Sequence, residues 1–183
     1  MTLPGVTQLI RLTTTDSTQT VARFLADQGA PTGTLVWADR QTAGRGRMAH
    51  KWESAEGGLY ASLILRPSFK HGRLAKLSLE TARAAGLALQ ELTGLQAAIK
   101  PPNDVMVLVD GKPRKVCGIL IEASGGGGRL DWVVIGVGIN VNNKPTLARA
   151  TSLKETTGKA WPVESVLREF LACFEKSYRT LGR

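Results

Sequence analysis

Residues 97–141 read AAIKPPNDVMVLVDGKPRKVCGILIEASGGGGRLDWVVIGVGINV, and the succession of runs in this stretch decides the fold class. A short apolar run at 97–100 must stop before Pro101-Pro102, because proline has no N–H to give to a ladder. Residues 105–109 and 116–122 read as two strands of a hairpin, with Asp110-Gly111 as the tight turn. The four glycines at 125–128 form a flexible tip before a buried-looking strand at 130–141. Four strands in succession, joined by tight turns, imply antiparallel pairs.

The rest of the chain extends this pattern. Residues 6–12 alternate well enough for a first strand. AspSerThrGln at 16–19 opens an amphipathic helix to residue 28. Asp16 is placed to cap it, and Gln19 follows three residues on, in capping-box style. Gly29 and Pro31 stop it. Residues 34–38 and 59–65 read as strands. Leu74, Leu77, Ala85, Leu89 and Leu92 recur at helical spacing until Gly94. A last helix starts at Trp161-Pro162, proline favouring the first turn, and runs to about residue 178. The order strand, helix, two strands, helix, four strands, helix predicts an α+β fold. It is a mixed, mainly antiparallel sheet with helices packed on one face, not a doubly wound parallel sheet.

A chain of 183 residues, 43% hydrophobic, buries roughly 70% of the surface it exposes when unfolded, enough for a core and a cleft. Cys117 and Cys173 lie far apart in apolar runs, without metal or redox spacing. They read as buried free thiols in a reducing cytosol, and no metal site is read in the chain. The N-terminus lacks the basic-then-apolar layout of a signal peptide, and the longest apolar stretch, 132–141, is far short of the ~20 residues that span a bilayer. The expectation is a soluble, cytoplasmic protein with no membrane partner. A net charge of +9 suits an anionic partner: nucleotide, nucleic acid, acidic protein or membrane surface. An aromatic content of 5% argues against a base-stacking platform for single strands.

Four stretches carry chemistry. Residues 39–58 form a long, polar, glycine-rich loop, and loops of that length are usually functional or disordered. Within it lies GlnThrAlaGlyArgGlyArg, 41–47. Its glycines permit close backbone approach, Arg45 and Arg47 offer planar forks to carboxylate and phosphate oxygens, and Trp52 offers an aromatic face to a base. A solvated basic loop or an RNA-binding segment fits the same residues. Gly44 to Ala49 also spells GxGxxA, but no apolar helix follows it, and no phosphate-binding GxxxxGK[ST] occurs. The second stretch is LysProProAsnAsp, 100–104. A lysine fixed beside two prolines is suited to charge growing on a phosphate, or is an ordinary surface lysine. Asp104 can hold a lysine or a metal, or cap a turn. The third is ArgLysValCysGlyIleLeuIleGlu, 114–122. In the fourth, ValIleGlyValGlyIleAsnVal, 134–141, Gly136 and Gly138 bare one face of a strand to a ligand or to another chain segment. Asn140 both donates and accepts, which suits an adenine edge.

Together, in this order over about residues 14 to 143, these stretches resemble the catalytic domain of biotin protein ligases, of the class II aminoacyl-tRNA synthetase/biotin ligase-like fold. AspSerThrGln resembles that family's DST[NQ], the 41–47 loop with Trp52 and GlyGlyLeuTyrAlaSer its ligand loop and following strand, LysProProAsnAsp its KWPND, and the last two stretches its KxxGILxE and G[VI]GINV. The resemblance implies an ATP-dependent ligase that forms biotinyl-adenylate and passes biotin to a lysine of a biotin carboxyl carrier protein. It assigns biotin to Ser17, Thr18, Gln19, Gln41, Gly44, Arg45, Gly46, Arg47, Lys100 and Gly118. ATP falls to Arg47, His50, Trp52, Asn140 and Lys100. Lys100, Arg45 and Arg47 would be catalytic, Lys100 touching both carboxylate and phosphate, and Asp104 and Lys115 would assist transfer. Mg²⁺ would travel with the nucleotide. His50 and Pro101 stand where the family usually has Arg and Trp. The resemblance further implies that 1–183 is a single catalytic domain, without the DNA-binding domain that precedes it in some relatives and without their usual small C-terminal β domain. No specific nucleic acid is expected, a homodimer through a sheet edge is compatible, and 47–52 is expected to be mobile without ligand. The rival readings are a lipoate or octanoate ligase or transferase of the same fold, and a catalytically weak biotin-binding relative.

Overall fold

A computed structural model describes residues 2–181. Seven strands form one sheet: β1 (Gln8–Thr15), β2 (Thr34–Gln41), β3 (Leu59–Leu65), β4 (Ala97–Lys100), β5 (Asp104–Val109), β6 (Lys112–Ser124) and β7 (Trp132–Ile139). Their spatial order is β1-β2-β3-β7-β6-β5-β4. Every pair is antiparallel except β1 with β2, which is parallel, and α1 (Thr18–Asp27) supplies the crossover between these two strands. The α+β, mainly antiparallel expectation therefore holds, with the mixed character confined to one edge.

The Asp110-Gly111 turn is the one the sequence announces. The two residues have φ of 50° and 72°, the left-handed pair a two-residue hairpin of this twist requires, and Val109 pairs directly with Lys112 across it. The glycines 125–128 connect β6 to β7, also as expected.

The sheet is apolar on both faces at its centre, and both faces are covered. Leu35, Leu63, Val107, Ile119 and Ile135 point into the main core, against Leu77, Ala85 and Leu89 of α2 (Leu74–Thr93) and Leu167, Phe170 and Phe174 of α4 (Val163–Leu181). Val36, Ile64, Trp132 and Val134 point the other way, against Ala22 and Ala26 of α1. The two long helices thus share one face, as expected, while α1 lies on the opposite one. It must, because strands β2, β3 and β7 leave a second apolar surface that needs cover. A short helix, α3 (Leu153–Thr157), carries a complete capping box between Ser152 and Glu155. No helix among the described residues is long and apolar enough to cross a membrane.

α1 begins differently from the sequence expectation. Its N-cap is Ser17, whose side chain makes no cap hydrogen bond, and Asp16 Oδ1 accepts from the Ser17 N–H at 2.6 Å. Gln19 does not reach back to close a capping box. Its side chain runs onto the sheet, where Nε2 donates to Val134 O and Oε1 accepts from the Ser62 hydroxyl.

Candidate active site

The face that carries α1 is only half covered by it, since α1 packs on β2, β3 and β7. On the remaining part, period-two alternation brings small residues into rows across the strands. Ser62, Gly136 and Leu120 are paired neighbours in one row. Tyr60, Gly138, Gly118, Asp104 and Lys100 form the next. The absence of side chains at the glycines is required. A Cβ on Gly136 would lie 2.5 Å from Gln19 Oε1, one on Gly138 2.6 Å from the Trp52 indole, and one on Gly118 2.8 Å from the same ring. Three glycines in two adjacent strands therefore make a floor on which Gln19 and Trp52 rest.

The 41–52 stretch folds back over this floor. Trp52 N–H donates to Gly44 O at 2.9 Å, Gly46 N–H to His50 O at 2.7 Å, and Arg45 bridges to Lys51. The tip is Met48, in the left-handed region at φ 51° and 86% exposed. The stretch is thus a small clasp rather than an open loop. Its few apolar residues, Ala43, Met48, Ala49 and Trp52, follow neither a strand nor a helix period, so no hydrophobic pattern reveals the pairing.

Two clefts flank the Trp52 ring. The first, of about 210 Å³, is lined by Ser17, Thr18, Gln19, Gln41, Arg45, Gly46, Arg47, Ser62, Gly118 and Gly136, among others. Its inner wall is a connected polar network. Gln41 Oε1 accepts from both the N–H and the hydroxyl of Thr18, at 2.8 and 3.1 Å. Gln41 Nε2 donates to Ser54 Oγ at 2.7 Å. The Thr18 and Ser62 hydroxyls meet at 3.0 Å. Ser17, only 2% exposed, has a buried hydroxyl with no protein partner. Buried polar groups are rarely left so, and this one lines the cleft.

The second cleft, of about 410 Å³, is lined by Lys100, Met106, Asn140, Glu53, Pro145, Leu147 and Arg149, and shares His50, Lys51, Trp52, Asp104 and Lys115 with the first. Lys115 Nζ and Asp104 Oδ1 are 2.6 Å apart, and the same ammonium lies 5.1 Å from the centre of the Trp52 ring. This ion pair and the indole form the wall between the clefts. The indole N–H is buried without a partner.

The structure brings together most of the residues singled out from sequence. Ser17, Thr18, Gln19, Gln41, Arg45, Gly46, Arg47 and Gly118 line the first cleft; Lys100 and Asn140 line only the second. Lys100 stands three strands from Gly138, about 14 Å by strand spacing. Gly44 lines neither cleft; it is buried where an added Cβ would meet the Trp52 carbonyl and the Ser54 hydroxyl. The two arginines are already held by protein. Arg45 shares Glu122 Oε1 with Arg23, each at 3.1 Å, and Arg47 donates to Asn103 Oδ1 at 3.0 Å. Asn140 is 3% exposed. It donates to Thr151 O and accepts from Asn143, which leaves one N–H and one lone pair free for a ligand. His50 Nδ1 lies 2.9 Å from Arg47 O.

Sequence reasoning passed over Ser62, Asn103 and Glu122. Ser62 had a visible signal, a small polar residue among the large apolar side chains of its strand, and it lies opposite Gly136. Asn103 and Glu122 had none, because their partners are arginines distant in sequence.

Residues 11–140 match the model of the biotin/lipoate A/B protein ligase family, and the chain belongs to that family. The bifunctional ligase/repressor BirA of Bacillus subtilis is 45% identical over 170 residues, which are 89% of this chain and 51% of that protein. The biotin–[acetyl-CoA-carboxylase] ligase of Paracoccus denitrificans is 40% identical over 140 residues, 73% of this chain and 55% of that one. The chain thus spans about half the length of the curated relatives it matches. The biotin protein ligase of Aquifex aeolicus, solved in complex with biotin and ATP, superposes with a TM-score of 0.80 at 38% identity, over 95% of this chain and 71% of that one.

Proposed function

We propose that this chain provides the catalytic domain of an ATP-dependent biotin protein ligase. The observation that carries the reading is the polar inner wall of the first cleft, with the buried and unpartnered Ser17 hydroxyl beside Thr18, Gln19, Gln41 and Ser62. Biotin ends in a cyclic urea with two N–H groups and one carbonyl, and needs such a wall. Lipoate ends in a dithiolane ring and octanoate in a methyl group. Neither has a strong hydrogen-bonding group there, and a polar wall left unpaired would reject them. The complex of the Aquifex relative with biotin and ATP supports the same pair of substrates.

Biotin then lies in the first cleft, beside Gln19 and the Trp52 ring that rest on the glycine floor, with its carboxylate toward the wall between the clefts. ATP occupies the second cleft, with adenine against Trp52 and the free N–H and lone pair of Asn140. The carboxylate oxygen attacks the α-phosphorus and pyrophosphate leaves. Lys100, Arg45 and Arg47 offset the growing negative charge; the arginines exchange Glu122 and Asn103 for ligand oxygens when the clasp closes. A lysine amine of a carboxyl carrier domain next attacks the carbonyl of the mixed anhydride and AMP leaves. Asp104 and Lys115, already an ion pair at the junction, are placed to take that amine's proton and to steady the leaving phosphate. Mg²⁺ comes with the nucleotide, since Asp104 is engaged by Lys115. A single catalytic domain in the cytoplasm, with homodimer contacts through the free edge of β1 or β4, belongs to the same reading.

Biotin-dependent exchange of labelled pyrophosphate into ATP tests it. The expected result is exchange with biotin and none with lipoate. Exchange with lipoate alone would replace the substrate, and tight biotin binding without exchange would leave a binding protein.

A further inference from the structure

The second cleft lies between two irregular segments. One wall is the end of the clasp, His50 to Glu53, and the other is the segment 145–150 that follows β7. That second segment is weakly tied. It is anchored at its ends, where Asn142 N–H donates to Gly57 O and Lys115 N–H donates to Arg149 O. Between them, among the described residues, the hydrogen bonds that leave 144–148 for another part of the chain come from a single residue. Thr146 donates its N–H to Glu53 Oε2 at 2.8 Å and its hydroxyl to Glu53 Oε1. Both oxygens of one carboxylate are therefore spent on one threonine across the cleft. The two donors hold the Glu53 carboxyl below the usual carboxylate range, as bonds to the charged form do. Glu53 is also the residue after Trp52, so whatever fixes its backbone fixes the indole beside the nucleotide.

Building on the ligase reading, we infer that Glu53 is a positioning residue: its two-pronged bond to Thr146 is a strap that sets the width of the nucleotide cleft and holds the 144–148 wall in place. The strap touches no reacting atom. It acts on how well the nucleotide is retained, and not on the acid cleft, whose polar wall lies on the other side of Trp52.

Three variants separate a strap from a general structural role. Glu53→Ala removes both acceptors, Thr146→Val removes the hydroxyl, and Thr146→Ser keeps both donors. The first expected result concerns the protein without ligands. Amide exchange at 144–148 speeds up at least about tenfold in Glu53→Ala, as expected when charge-assisted bonds are lost, and stays at the wild-type rate in Thr146→Ser. The second concerns the pyrophosphate exchange assay. The KM for ATP rises about tenfold in Glu53→Ala, less in Thr146→Val, and not in Thr146→Ser, with the KM for biotin within twofold throughout. The double variant Glu53→Ala/Thr146→Val is expected to be no worse than Glu53→Ala alone, because the pair acts as a unit. Unchanged exchange at 144–148, equal rises in both KM values, or additive losses in the double variant would overturn the strap. Absence of any biotin or ATP turnover in the wild type would defeat the ligase reading instead, and the amide-exchange arm would still judge the strap.

Discussion

Ser17 sets up the cleanest test of a single side chain. Its buried hydroxyl lacks a protein partner, and such a group costs a fold about 1–3 kcal/mol. Ser17→Ala is therefore expected to leave the denaturation midpoint unchanged or raised, while biotin affinity by calorimetry falls about tenfold. A loss of stability with unchanged affinity would mean that the hydroxyl serves the fold. Lys100 gives the complementary case. It lines only the second cleft, so on the proposed ligase reading Lys100→Ala should cut pyrophosphate exchange at least about 100-fold with biotin affinity nearly intact; an unchanged exchange rate would remove it from the chemistry. At this scale the sequence was informative about identity and silent about pairing. The types at Arg45, Arg47 and Asn140 were legible, but Glu122, Asn103 and Asn143, which hold them, come from other segments. Gln19 shows a competing rule winning. Its spacing suits a capping box, yet the bare face at Gly136 gives its side chain a buried seat, and that seat takes it away from the helix end.

Among the elements, the seam between α2 and α4 has an unusual acidic contact. The carboxyls of Glu91 and Glu169 come within 4.8 Å of each other, and this pairing pushes the Glu169 carboxyl up. The Cys173 thiol lies within 3.7 Å of both carboxylates and is itself pushed up to about 12, chiefly by burial. A folded-state value above the unfolded one means that stability is fully present below the usual glutamate range. It is lost as pH rises through the raised value. The denaturation midpoint should thus decline as pH rises above the usual glutamate range, and Glu91→Gln should flatten that decline; an unchanged slope would assign it elsewhere. A smaller element test is the cap of α3. Ser152→Ala is expected to cost about 1 kcal/mol, read from urea unfolding. Elements with strong local signals were legible, as the Asp110-Gly111 turn and the leucine spacing of α2 show. The parallel pairing of β1 with β2 was not, because alternation marks a strand's faces and not its partner's direction. β1 also runs on through Thr13–Thr15 and β2 through Asp39–Gln41. Those polar ends lie at a sheet edge, where pairing continues after the apolar pattern stops.

For the molecule as a whole, the two clefts predict linked stabilisation. Biotin and ATP, each at about 100 times its dissociation constant, should add about 2.7 kcal/mol apiece. For a chain of this size that amounts to about 5–10 °C in Tm for each ligand. Protection from exchange at 44–52 and 144–148 should rise further only when both are present; a clasp already fully protected without ligand would contradict the closing step.

The central position of β7 bears on how the molecule comes to be made. The chain delivers β1, α1, β2 and β3 first and the β4-β5-β6 meander later, and neither group pairs with the other. β7 emerges last of the strands and hydrogen-bonds to β3 on one side and β6 on the other. Until it arrives, both subassemblies expose an open edge, the kind that invites association with other chains. A nascent chain still short of residue 132 is thus the aggregation-sensitive species, and such non-local pairing is slow to form. Gly136 and Gly138 ride on the strand that closes this gap, so the floor under Gln19 and Trp52 and the completed sheet are born in the same event.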